Sequence, residues 1–225
     1  MPATIGQPGQ PPRPPRAAGV AGVVFAALLA ATVALIRIVF PALPPDTTTW
    51  HAATFGRTAL RVALALLPFV GIAFLWFMAA LRTYIGARED KFFATVFLGS
   101  GLLFVAMLFA LATVADSMLS VADTSPGGPP PQLWRYSHHF TFTLLSSYCM
   151  RMAAVFTFST TTIGHRLKLF PRWLVGLGYL VGAILLVVVT RVPWSELAFP
   201  FWVLAVSCRM LSARPAVGVT SRSRL

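Results

Sequence analysis

The chain has 225 residues, is 57% hydrophobic and only 11% charged, and carries a formal net charge of +12. One soluble core of ordinary proportions cannot bury that much apolar surface, and the apolar residues come in unbroken runs of about 20, enough for a helix to cross a hydrocarbon layer of roughly 30 Å. A soluble globular domain is therefore excluded, and so is a nucleic-acid surface, because no soluble segment exists to carry a basic patch.

Residues 1–16 contain six prolines and no apolar run, which predicts a disordered cytoplasmic tail. The first span is expected over 17–40; its apolar stretch is too long for a signal peptide, and Arg37 near its end is expected to snorkel to the headgroups. A loop with Pro44, Pro45, Asp46 and Trp50 leads to a second span over 62–81, where Pro68 and Gly71 predict a kink. The short charged link 82–91 makes the second and third helices a hairpin, with Glu89 and Asp90 at the positive end of the third helix, 92–115. A long loop, 116–139, precedes the fourth span, 140–163. The fifth, 173–190, contains Gly178 and Gly182 at the spacing that lets two helix backbones approach closely and offers a face to a helical partner. The sixth, 195–211, is interrupted by Pro200, so it either crosses or forms a tilted or re-entrant segment. A basic cytoplasmic tail, 213–225, follows. The fold class is all-α, a polytopic transmembrane bundle of six helices.

With the N-terminus inside, the inner segments hold 12 cations and the outer segments 4, and Arg37 and Arg151 within spans complete the 18 basic residues. Short cytoplasmic loops carry such an excess of Lys and Arg, so both termini are expected in the cytoplasm. Sixteen of these cations are Arg, in a chain rich in Ala, Gly, Val and Pro. That composition belongs to a GC-rich genome and suggests a bacterial plasma (inner) membrane.

Only Arg151 lies near the middle of a span, about 15 Å from the outer end at 1.5 Å per residue. A central Arg is unfavourable by about 2.5 to 3.5 kcal/mol on insertion scales, so it should face the bundle or water. Thr143, Ser147, Tyr148, Phe158 and Thr162 share its helix face. One reading has Arg151 donating to hydroxyls of this stripe. The other makes Arg151, Tyr148 and Ser147 a site for an anion or lipid headgroup. No carboxylate is expected at that depth, and Asp116 is the nearest by topology. Cys149 and Cys208 sit at different depths, which argues against a disulfide. His51, His138, His139 and His165 lie outside the spans, where no metal or haem site is expected. Gly99-Ser100-Gly101 has no histidine base within reach and reads as a helix contact. No catalytic constellation, cofactor site or metal site follows from the sequence.

Phe74-Leu-Trp-Phe77, the segment Arg88 to Gly101, Met150-Arg-Met-Ala-Ala-Val-Phe156, and Pro171-Arg-Trp-Leu174 with Gly178-Tyr179 resemble small multi-helix integral membrane proteins of GC-rich bacteria. That resemblance implies a membrane bundle and no assigned activity. The function expected is an integral membrane component with a structural or accessory role, in contact with the lipid bilayer; the alternative is a small transporter or channel built around Arg151.

Overall fold

Apolar runs in lipid can satisfy their own amides only as helices, and the computed structural model, which describes residues 16–39, 54–85, 91–125 and 130–212, is a bundle of six helices. Helix α1 is Arg16–Val39, α2 Thr54–Ile85 and α3 Lys91–Thr124. Helix α4 runs over 131–166, with a π-helical stretch Leu144–Cys149 between α-helical Pro131–Thr143 and Met150–Arg166. Helix α5, Arg172–Ala183, widens into a π turn at Ile184–Val188, and α6 opens with a 3₁₀ turn, Ser195–Leu197, before Ala198–Ser212. Three of these helices, Gly19–Val39, Thr54–Ile85 and Lys91–Thr124, are long and apolar enough to cross a membrane, with mean hydropathies of 2.5, 2.4 and 2.3. The chain is a membrane protein. Both terminal tails, the Pro44–Trp50 loop, the Glu89–Asp90 capping pair and His51 fall outside the described residues.

Several helices outrun their expected bounds. Helix α2 starts at Thr54 rather than 62, α3 continues to Thr124 rather than 115, and α4 starts at Pro131 rather than 140, so the expected loop 116–139 is mostly helix. Hydropathy marks only what is apolar all round. These extra turns bury Leu60, Met118, Leu119, Ala122 and Trp134 on one face and expose polar residues on the other. Pro131 suits the first turn of α4, where an amide would be unpaired anyway. The other end of α4 closes through Lys168, whose φ of 54° is left-handed, while the Leu169 amide donates to the Gly164 carbonyl at 2.9 Å. Phe170 folds over Gly164 so closely that a Cβ there would lie 2.2 Å from its ring.

At the centre, aromatic rings from five helices interlock. Phe74 lies 4.9 Å from both Phe25 and Phe104 and 5.0 Å from Phe156, and Phe199 lies 5.2 Å from Phe104. Phe25, Phe74, Phe104, Phe156, Phe199 and Trp202 are all fully buried. Edge-to-face and tilted pairs of this kind add about 0.5–1.5 kcal/mol each beyond area burial.

The contacts also fix how the helices are staggered. Phe97 stacks on Phe156 and the Cys149 thiol meets the Phe104 carbonyl; Gly101 faces Met78 and Gly71 faces Phe109. Helices α2, α3 and α4 are thus antiparallel neighbours that run side by side at full length, about 48 to 54 Å at 1.5 Å per residue. Gly178 faces Thr161, and Gly182 faces Phe158. Continued along the pair, that register ends α5, at Val188, roughly beside Met152, which is about 30 Å short of the far end of α4. The α5–α6 hairpin therefore covers only part of the bundle's length.

Candidate functional site

Helix α1 ends on a charge that the bundle turns inward. The Arg37 guanidinium does not extend to the headgroups as its position near the helix end suggested; it bonds the carboxylate of Glu196, in the first turn of α6. Ser146, in the π stretch of α4, donates to the same carboxylate oxygen, Oε1, at 2.9 Å and accepts from Arg37 Nη2 at 3.3 Å. The Arg37 Cζ also stands 5.0 Å from the centroid of the Phe142 ring. Glu196 is wholly buried, and Arg37 keeps 19% of its side chain exposed. Three segments far apart in the chain meet in this cluster. It is incompletely paired, since Glu196 Oε2 and Arg37 Nε are buried without a partner.

Glu196 is carried by a strained turn. Trp194 has a φ of 69°, a left-handed conformation that is an outlier for a bulky residue. By the register of the aromatic core, Glu196 precedes Phe199 by three residues and so lies about one helical turn from the level of Phe104. The sequence reading, which expected no carboxylate at depth, is corrected here: an acid at the start of a doubtful helix looked like a loop residue.

Arg151, Ser147 and Tyr148 lie together on α4, as their spacing requires. Arg151 is half-buried and donates to the backbone carbonyl of Ser147 on its own helix. Ser147 is half-buried and Tyr148 is 56% exposed. Asp116 is no partner for Arg151, because the α3–α4 register sets it opposite Ser137, about 21 Å away along the axis; it lines a cleft of about 280 Å³ with Arg61 and Thr113. The same face of α4 divides in two. Phe158 meets the Gly182 backbone, and the Thr162 hydroxyl lies 3.1 Å from that of Tyr179, both on α5. Beyond Met152 α5 ends, and Ser147, Tyr148 and Arg151 are left beside the tip of the hairpin.

Gly178 and Gly182 make their close approach within the chain. Cβ atoms there would stand 2.1 Å from Thr161 Oγ1 and 2.9 Å from the Phe158 ring, so α4 occupies the face that the sequence reading offered to a partner. Ser100 is buried and donates to the carbonyls of Val96 and Phe97 at 2.7 and 3.2 Å, while Gly101 admits Met78. The two cysteines are free, Cys149 buried and Cys208 exposed.

At the far end of the bundle Asp123 pairs with Arg57, at 3.2 Å, and with Arg61. His138 packs on Phe142, with ring centroids 4.7 Å apart. Compared with family models, curated protein sequences and solved structures, the chain matches none of them.

Proposed function

We propose that this membrane protein is a multi-pass structural or accessory component of a bacterial plasma membrane, with both termini in the cytoplasm, four full crossings (α1 to α4) and a half-crossing hairpin (α5–α6). The interlocked Phe25, Phe74, Phe104, Phe156 and Phe199 carry this reading, because a ring cluster drawn from five helices closes the middle of the bundle to solute. Arg82, Lys91, Arg166, Arg172 and Arg209 lie at one end of their helices, and an excess of such residues marks the cytoplasmic side. A hairpin that enters and returns on one side keeps the termini together just as two full crossings would, so the positive-inside count is satisfied either way. Arg191 then leaves the outer set and becomes the hairpin tip.

Reconstitution into liposomes tests the role. The expected result is chloride and phosphate efflux no faster than from empty vesicles; steady protein-dependent efflux would replace the structural reading by the transporter or channel reading. Reporter fusions at the two termini should both report the cytoplasmic side.

A further inference from the structure

Ordered by register, the described charges of the bundle fall into an end band that includes Arg82, Lys91, Arg166, Lys168, Arg172 and Arg209 and a far band holding Arg57, Arg61, Asp116, Asp123 and Arg135. About 17 residues of α3 separate them, or some 26 Å at 1.5 Å per residue, close to a hydrocarbon thickness. Between the bands lie Glu196, which the Arg37 guanidinium reaches from the far band, and then Arg151 and Arg191. Arg37 is neutralised. Among the described residues the ion pairs are those of Arg37, Arg57 and Arg61, so Arg151 and Arg191 meet no carboxylate.

The hairpin tip lies at the same depth. Thr190 to Trp194 is irregular and exposed, with Trp194 at 43%. Irregular backbone at membrane depth persists only where protein or a water-filled cavity surrounds it, and an uncompensated Arg at that depth demands water or an anion. We propose that the space above the tip is a vestibule open to the non-cytoplasmic side, and that its floor binds a phosphate group, held by Arg151 and Arg191 with the Tyr148 hydroxyl donating a further hydrogen bond. Guanidinium groups match phosphate oxygens in geometry and charge. The aromatic cluster lies level with this floor and closes the bundle beside it, so the site binds without passage. An anionic glycerophospholipid is the source favoured, because on this face of α4 Tyr148 is exposed and Ser147 and Arg151 are half-buried, a sideways approach by which a headgroup enters with its chains in the bilayer.

The inference rests on the half-crossing hairpin, so the test separates the two. In the full chain carrying Cys208→Ser, Val192→Cys should react with a membrane-impermeant maleimide added from the non-cytoplasmic side; no reaction from that side overturns the vestibule and the hairpin reading together. Binding is then followed by thermal unfolding in neutral detergent titrated with phosphatidylglycerol, phosphatidylcholine or inorganic phosphate. Phosphatidylglycerol should raise the midpoint at concentrations about tenfold lower than phosphatidylcholine does, and inorganic phosphate should not reproduce the effect. Arg191→Gln and Arg151→Lys should each abolish that preference while keeping helical content, and Arg209→Gln should keep it. If Val192→Cys is labelled but the wild type does not distinguish the lipids, or the two variants still do, the phosphate site is refuted and only the outward-facing tip stands. Equal protection by inorganic phosphate supports the floor and replaces the lipid by a soluble oxyanion.

Discussion

Removing either member of the Arg37–Glu196 pair should destabilise the bundle, and the two removals should differ in size for a reason visible in the burial. Taking away one partner of a buried ion pair costs about 3–5 kcal/mol, because an uncompensated charge stays behind. Arg37→Leu leaves a carboxylate with no exposure, held only by Ser146, and also removes the cation over Phe142, worth about 0.5–2 kcal/mol. Its cost belongs at the top of the range. Glu196→Leu leaves a guanidinium that is 19% exposed and whose long stem can move toward water, so its cost belongs at or below the bottom. Replacing both by Leu removes two desolvation penalties with the attraction they support, and the double variant should lie within about 1 kcal/mol of wild type. Reversible unfolding in mixed micelles, run as a double-mutant cycle, gives all four values. If the double variant loses the sum of the singles, or if Glu196→Leu costs more than Arg37→Leu, the pair is not coupled as its geometry requires.

Gly178→Ala should cost about 1–3 kcal/mol by overpacking against Thr161, whereas Gly176→Ala, on an open face, should gain up to about 1 kcal/mol from helix propensity; the same unfolding assay separates them. Phe74→Ala should cost about 3–5 kcal/mol, since it empties the middle of the aromatic cluster.

The number of helices and the close approach of α5 to its neighbour were legible because each rests on local pattern: apolar runs between charged links, and two glycines a turn apart. The buried ion pair was not legible. Arg37 and Glu196 are 159 positions apart, each near a helix end where a charge ordinarily faces water, and only the stagger of the helices brings them together. The lengthening of α2, α3 and α4 escaped for a different reason, since turns with one exposed polar face carry no hydropathy signal. Arg151, Ser147 and Tyr148 could be placed on one helix face from spacing alone. What lies opposite them could not, because that depends on where α5 stops.

The two charge groups at mid-depth follow from that one fact. Above the tip of a short hairpin the ring of helices would be open between α1 and α4, and Arg37 spans the opening by reaching the tip at Glu196 and α4 at Ser146 and Phe142. On the other flank of the tip no such bridge exists, and Arg151 turns back on its own helix. A latch that ties one flank of the tip to α1 and to Ser146, with an arginine that meets no carboxylate on the other flank, is what a hairpin held at one edge of its tip would present. Breaking the latch should therefore loosen the tip and raise the labelling rate at Val192→Cys, while Arg151→Leu should leave that rate unchanged. Equal rates in the wild-type and Glu196→Leu backgrounds would mean that the tip is held by its own turn, with the ion pair contributing packing alone.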